Sequence, residues 1–326
     1  MTVKERKLTT SFELGKSVAT REAYGKSLLE LGGINSEVVV LDADLSGSTQ
    51  TKHFAKEYPE RFFNMGIAEA NMMATAAGMA RAGKVPFASS FAMFATGRAW
   101  EQVRNSIAHN HVSVKICATH AGLTLGEDGA SHQIIEDLAI TRAIPGLHVF
   151  CPADANETVK IIEQIADYNH PVYIRLGRAK VPVINSADYK FEIGKSNILK
   201  EGKDVTLIAC GVMVSRALEA AEILEKEHKL TAEVINAASI KPFDAMTLVN
   251  SATKTQKVIS IEEHNINGGL GDIAASALSE HLNTGFKFAK MGVNDEFGQS
   301  GKGMELLDFY GLGVEHIVKK ALALQN

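Results

Sequence analysis

The sequence has few of the residues that mark several classes of protein. It holds three cysteines in 326 residues, Cys117, Cys151 and Cys210, with no CxxC pair and no cysteine–histidine cluster at zinc spacing. A sparse, odd number of cysteines is typical of a reducing compartment. Each cysteine lies in or beside an apolar run, so we expect all three to be small core residues.

Excess positive charge and long apolar runs are also lacking. Lysine and arginine number 34 against 38 acidic residues, a net charge of −4, so the sequence offers no footprint for nucleic acid. No run approaches the roughly 18 apolar residues that span a membrane. The N-terminal segment MTVKERKLTT has no apolar signal-peptide region. We therefore expect a cytoplasmic protein with neither a nucleic-acid partner nor a membrane partner.

Short β-branched runs alternate with helical stretches along the chain. The predicted strands are 37–45, 84–91, 112–120, 147–154 and 171–177, then 204–211, 230–239 and 257–264. This alternation predicts an α/β fold with parallel sheets and helices on both faces, in two doubly wound domains. A polar segment at 179–200 indicates a linker with a short strand. It divides the chain into domains at 1–185 and 186–326, the second smaller. Ligands bind at the carboxyl ends of such strands.

Glu69 stands where a strand-like segment, RFFNMGI, meets a helix rich in alanine and methionine. One interpretation is a carboxylate that the dipole of the helix N-terminus favours. The other is a desolvated carboxyl group that holds or shares a proton near neutral pH. The position alone leaves both open.

A glycine-rich loop at 119–138, THAGLTLGEDGASHQIIEDLA, directly follows a predicted strand. His120 and His132 offer groups for anions or hydroxyls, and Asp128 offers an acceptor for hydroxyls. The glycines let the backbone approach a ligand closely. Solvated surface residues are the alternative interpretation.

Aromatic and cationic side chains complete the candidates. Phe91 and Phe94 are three residues apart in SSFAMFATGRAW and indicate either core packing or a stacking wall for a flat heterocycle. Arg21, Ser48 in DADLSGST, and Arg178 in RLGR are candidate anion ligands, since guanidinium groups bind phosphate in a bidentate fork.

These segments together resemble transketolase, a thiamine-diphosphate enzyme, and specifically its C-terminal half. The resemblance extends over essentially the whole chain and is most specific in RFFNMGIAEANM, GEDGASHQ, ADLSGS and EEHNINGGLG. It implies a pyrimidine-binding domain followed by a transketolase C-terminal domain.

The resemblance assigns roles around the cofactor. Glu69 matches the glutamate that hydrogen-bonds N1′ of the aminopyrimidine and promotes its imino tautomer. Phe91 and Phe94 match the aromatic residues that pack on this ring, although a third aromatic of the family falls at Gly97 here. Asp44 matches an acidic position near the cofactor and the chain interface.

The resemblance also assigns roles around the substrate. Arg21, Ser48, His120 and Arg178 fall where family members bind the sugar phosphate. Asp128 matches the residue that reads a substrate hydroxyl, and His132 matches a catalytic histidine near the C1 hydroxyl of the donor sugar.

The motif that holds Mg²⁺ and the diphosphate in this family is missing. GEDG has an extra residue and no following asparagine ligand, so no metal site is assigned. We expect a subunit of a split transketolase that binds the pyrimidine end of thiamine diphosphate. An N-terminal diphosphate-binding subunit would hold the Mg²⁺, in a dimer of heterodimers. The expected reaction, part of the pentose phosphate pathway, transfers a two-carbon ketol unit from a ketose phosphate to an aldose phosphate.

Three alternatives stay open at this point. Deoxyxylulose-phosphate synthase shares the domain pair but is normally one continuous chain. The β subunit of a 2-oxo acid dehydrogenase is a separate chain but is not expected to carry GEDGASHQ. The third is a non-catalytic binding module that has kept the fold.

Overall fold

The computed structural model describes residues 7–282 and 284–325. The first six residues of the N-terminal segment, from which we expected no signal peptide, lie outside the described range. The strands are β1 Ser17–Ala19, β2 Val38–Asp42, β3 Phe62–Asn64, β4 Val85–Phe91, β5 Lys115–Thr119, β6 His148–Phe150, β7 Val172–Arg175, β8 Lys180–Pro182, β9 Asn197–Lys200, β10 Val205–Ala209, β11 Ala232–Asn236, β12 Ser239–Lys241, β13 Lys257–Asn265 and β14 Lys287–Val293. The α-helices are α1 Thr20–Ile34, α2 Ser46–Thr49, α3 Lys52–Glu57, α4 Glu69–Arg81, α5 Trp100–Gln102, α6 Asp137–Arg142, α7 Ala155–Ile165, α8 Met213–His228, α9 Ala245–Thr255, α10 Leu270–His281, α11 Gly303–Phe309 and α12 Val314–Ala323.

Contacts divide the chain into two compact units. Unit 1 contains residues 1–121, 143–148 and 154–191, and unit 2 contains 122–142, 149–153 and 192–326. The predicted domains at 1–185 and 186–326 treat each domain as one continuous segment, and this division stays a prediction.

Unit 1 is built on parallel strands in the order β7-β5-β4-β2-β3. All five residues of β2, VVVLD, are buried. A strand covered on both faces needs such a continuous apolar run, and parallel sheets with helices on both sides provide that environment. Asp154 caps α7 by accepting a hydrogen bond from the backbone N–H of Glu157 at 2.8 Å.

Unit 2 contains a second sheet in the order β14-β13-β10-β11-β9. Strands β10, β11, β13 and β14 are parallel, and the short β9 pairs antiparallel with β11 at the edge. The predicted two-domain α/β fold is confirmed. Strand β14 was not predicted, because its lysines and half-exposed first residues hide the apolar pattern.

The three cysteines are buried and form no disulfide, as predicted. Among the described helices, none has the length and apolar character needed to cross a bilayer.

Candidate functional site

The candidate residues of unit 1 collect where its parallel strands end. Asp44 and Ser48 follow β2, Glu69 follows β3, Phe91 ends β4 and Phe94 follows it, His120 follows β5, and Arg178 follows β7. Parallel strands end at one edge of the sheet, which is where open α/β sheets bind ligands. Arg21 joins them from the first turn of α1, because its backbone N–H donates to the Gly177 carbonyl at 3.4 Å.

Arg21 is the centre of a cationic cluster. Its Nη1 donates to the backbone carbonyl of Ser48 at 2.9 Å and to Nε2 of His120 at 3.2 Å. Burial lowers the pKa of Arg21, and the charge of nearby Arg178 lowers it further. Its Nε is buried and has no hydrogen-bond partner among the described residues. The cluster therefore holds positive charge and a spare donor, which suits an anion.

His120 is neutral in this cluster, with a defined tautomer. Guanidinium groups only donate hydrogen bonds, so Nε2 of His120 must accept from Arg21. The proton then lies on Nδ1, which donates to Thr119 Oγ1 at 2.7 Å. Burial lowers the pKa of His120 to about 3, with the charges of Arg21 and Arg178 acting in the same direction. Protonation would place two cationic N–H groups face to face.

Phe91 connects this cluster to an aromatic wall. Its ring stacks on His120 with centroids 3.9 Å apart and lies nearly parallel to Phe94, with an interplanar angle of 12° and centroids 6.0 Å apart. Phe91 is buried, whereas Phe94 is only half-buried. Phe94 is therefore the more accessible surface for a flat ligand.

Glu69 contacts a residue that the sequence did not single out. The Glu69 side chain is 1% exposed, and its Oε2 accepts a hydrogen bond from Nη1 of Arg98 at 3.1 Å. The same guanidinium lies over the Phe94 ring, 4.9 Å from its centroid. The available sequence signal was the four-residue spacing of Phe94 and Arg98, in a π-helical turn at Met93–Arg98. Such turns are frequent at functional sites.

The two acidic residues at the end of β2 and just beyond it have separate roles. Asp42 is fully buried and accepts hydrogen bonds from the hydroxyls of Thr49 and Thr51 at 2.7 and 2.9 Å, so it fixes the turn that carries Ser48. Burial raises the pKa of Asp42. Asp44 is exposed and accepts from Nδ2 of Asn64 at 3.0 Å.

Asp128 and His132 lie in the glycine-rich segment that belongs to unit 2. Asp128 is exposed and His132 is half-buried, with its Nδ1 2.9 Å from the Ser131 hydroxyl. Their predicted roles stay predictions.

Two unit 2 residues outside the predicted set fix this loop. Glu263 is buried and accepts a hydrogen bond from the backbone N–H of Thr124. Nε2 of Gln133 donates to the carbonyls of Leu123 and Gln299 at 3.1 and 3.0 Å. Glu263 lies in the motif EEHNINGG, but its long-range contact could not be derived from sequence.

Two family models match the chain. "Transketolase, pyrimidine binding domain" covers residues 16–183, and "Transketolase, C-terminal domain" covers 194–317.

Individual relatives agree with the family models. A Methanocaldococcus jannaschii protein, named for a transketolase C-terminal section, is 51% identical over 93% of this chain and 95% of its own length. The "6-deoxy-6-sulfo-D-fructose transketolase subunit SqwH" of a Clostridium species is 40% identical over 92% of each chain. A solved structure described as "Split gene transketolase, inactive beta4 tetramer" superposes with a TM-score of 0.87 at 53% identity, covering 95% of this chain and all of that one.

The parallel sheet and the polar residues at its carboxyl edge are those of an α/β protein that binds a ligand at the ends of its strands. Within that class, the chain belongs to the transketolase family and corresponds to a transketolase-family subunit with the pyrimidine-binding and C-terminal domains. These domains imply dependence on thiamine diphosphate. Among the described residues, no cluster of three or more histidine, cysteine or acidic side chains is arranged to hold a metal.

Proposed function

We propose that this chain is the pyrimidine-binding subunit of a two-component, thiamine-diphosphate-dependent transketolase. The assembled enzyme transfers a two-carbon ketol unit from a ketose phosphate to an aldose phosphate. The observation that carries the proposal is the pairing, at one sheet edge of unit 1, of a buried carboxylate with a cationic cluster.

The cationic cluster supports a sugar phosphate as the substrate. Arg21 and Arg178 both lie close enough to His120 to lower its pKa, and Arg21 has a buried N–H without a partner. Two guanidinium groups and a neutral imidazole favour an anion such as a phosphate. The backbone carbonyl of Ser48 orients Arg21, so the role of Ser48 here is to position the guanidinium.

The residues around Glu69 fit an aminopyrimidine ring. A buried carboxyl group offers a partner for a ring nitrogen, and Phe94 offers a half-exposed aromatic face beside it. The Arg98 guanidinium makes both contacts: a hydrogen bond to Glu69 and a stacked position on Phe94. A planar group with N–H donors thus already occupies the contacts that the pyrimidine needs.

Arg98 is free to leave this position because its side chain is 53% exposed. We propose that Arg98 would move away from Glu69 and Phe94 to make room for the pyrimidine ring. Thiamine diphosphate, when bound, supplies the electron sink that lets a carbon–carbon bond beside a carbonyl break. Glu69 would hold a proton in a hydrogen bond to the N1′ atom of the ring, and Phe91 and Phe94 would pack on the ring and exclude water.

The remaining roles complete the proposed enzyme. Asp128 reads a hydroxyl of the sugar, and His132 exchanges a proton near its C1 hydroxyl. Asp44 lies near the interface with the diphosphate-binding subunit. That subunit provides the Mg²⁺ site, and the two chains form a dimer of heterodimers in the cytoplasm.

The test uses the tagged chain purified from its own host with the proteins that accompany it. The complex, with thiamine diphosphate and Mg²⁺, should transfer a ketol unit from xylulose 5-phosphate to ribose 5-phosphate, and the chain alone should not. Glu69→Gln should abolish transfer in the complex, while the exposed Glu57→Gln should leave it unchanged.

Other donors separate the alternatives. Because the Clostridium relative is named for a sulfonated fructose, 6-deoxy-6-sulfofructose is tested as a second donor. Turnover of the sulfonate alone would reject the phosphate sugar as the substrate. Pyruvate consumption would favour a deoxyxylulose-phosphate synthase or a 2-oxo acid dehydrogenase. A chain that purifies alone and inactive would support the binding module.

A further inference from the structure

Unit 2 contains a cavity that the proposed reaction does not use. It lies beside the carboxyl end of β14, and the turn at Tyr310 and one face of α12 close its other sides. Its volume is about 290 Å³, near the roughly 300 Å³ at which small-molecule pockets begin. Its place at the end of a parallel strand is where α/β sheets bind ligands.

Lysine side chains and a histidine converge on this cavity. His316, Lys319 and Lys320 line it from α12, and their spacing places them on one face of that helix. Lys290 lines it from the strand. None of the described residues that form the lining is acidic. A concave surface with this charge attracts an anion.

The charges on α12 are available to a ligand. Lys290 is occupied, because its Nζ donates to Asp272 Oδ1 and to the Ile266 carbonyl, both at 2.8 Å. Lys319 and Lys320 are exposed, and within the described part of the chain neither makes an ion pair. Lysine ammonium groups bind phosphate as point charges.

The rest of the lining suits an organic body attached to the anion. Met291 and Tyr310 are buried and give the cavity an apolar wall. Tyr310 donates its hydroxyl proton to the Phe297 carbonyl at 3.0 Å, which fixes the ring. Burial raises the pKa of Tyr310, and the charge of nearby Glu296 raises it further.

We propose that this cavity binds a small phosphate monoester, at a site separate from the one proposed for the reacting sugar. Lys319 and Lys320 hold the phosphate, His316 donates an N–H to it, and the organic body lies against Met291 and Tyr310. A ligand here would act on the subunit without touching the candidate site of unit 1.

Methyl NMR on the full chain, with labelled methionine methyl groups, tests this proposal. Met291 lines the cavity, and Met93, whose methyl carbon lies 3.4 Å from a Cβ built at Gly97, reports on the unit 1 site. Met291→Leu assigns the first resonance. The probes are AMP and inorganic phosphate, with adenosine as the uncharged control.

We expect AMP to shift the Met291 resonance to saturation, inorganic phosphate to shift it less, and adenosine to leave it in place. The double variant Lys319→Ala/Lys320→Ala should weaken AMP binding by at least about tenfold, as expected for the loss of hydrogen bonds to a charged group. The control Lys226→Ala/Lys229→Ala removes the same charge from an exposed surface of unit 2 and should bind AMP normally.

An unmoved Met291 resonance, or equal binding by the two double variants, would overturn the proposal. Unchanged positions of the other methionine resonances show that each variant is folded. Because the readout is local to unit 2, it does not depend on ketol transfer. Absence of ketol transfer would therefore not affect the AMP result, and absence of AMP binding would not affect the proposed reaction.

Discussion

Lowering the pH should destabilise the fold through His120. The folded pKa of His120 is about 3, against an ordinary value of 6.5 for histidine. A histidine whose folded pKa is depressed contributes stability above pH 6.5, and this contribution is lost as the pH falls from there towards 3. The unfolded chain binds the proton that the folded chain excludes.

The size of the effect follows from the shift. Each pH unit below 6.5 costs about 1.4 kcal/mol until the folded group also titrates. Between pH 7 and pH 5, the expected loss from His120 alone is therefore about 2 kcal/mol. Any folded pKa of about 4 or lower gives the same figure at pH 5, because the folded group is still neutral there.

The assay compares wild type with His120→Gln by urea denaturation, followed by circular dichroism at fixed protein concentration. Glutamine can accept from Arg21 but has no proton to gain. On going from pH 7 to pH 5, the unfolding free energy of the variant should therefore fall by about 2 kcal/mol less than that of wild type. Inorganic phosphate should reduce the difference, because an anion beside Arg21 and Arg178 favours protonated His120. Parallel pH dependences of the two proteins would refute the reasoning.

Two further variants test particular contacts. Arg98→Ala should tighten thiamine diphosphate binding by the reconstituted complex about two- to fivefold, because it removes a competing, half-exposed ion pair to Glu69 worth roughly 0.5–1 kcal/mol. Calorimetric titration measures this, and weaker binding would show that Arg98 helps to hold the cofactor. Gly122→Ala should cost about 3 kcal/mol of unfolding free energy, because φ is +78° and a Cβ would lie 2.4 Å from the Glu263 carboxyl carbon. Gly47→Ala, with no heavy atom within 4 Å of its added Cβ, is the control and should change stability by less than about 1 kcal/mol in denaturant titrations.

The local pattern of apolar residues predicted the buried strands and helices. Each predicted strand overlaps an observed one, and the helix predicted to hold Glu69 in its first turn is α4. These elements have a periodicity that their own burial imposes. The rule for parallel strands, which needs only chain order, placed His120 and Arg178 at one sheet edge. Arg21 was a candidate on its chemistry, but its contact with His120 came only from the structure.

Contacts across long stretches of sequence could not be predicted. The glycine-rich loop was expected from its composition, but its attachment to Glu263 joins residues 139 positions apart. The neutral state of His120 depends on Arg21, which is 99 positions away. Neither partner carries a local signal, since a buried polar contact is set by the packing of whole elements.

Phe91 joins the two halves of the unit 1 site, the cofactor half around Glu69 and the phosphate half around Arg21. Arg98 satisfies the buried Glu69 with a hydrogen bond, and the neutral form of His120 limits the charge repulsion beside Arg21. A cofactor ring would replace the first contact, and a phosphate would relieve the second. Because Phe91 stacks on His120 and lies parallel to Phe94, we expect movement at either half to reach the other through this ring. Phe91→Leu should then uncouple phosphate binding from cofactor binding in calorimetric titrations of the complex, and equal coupling in the variant would assign Phe91 to packing alone.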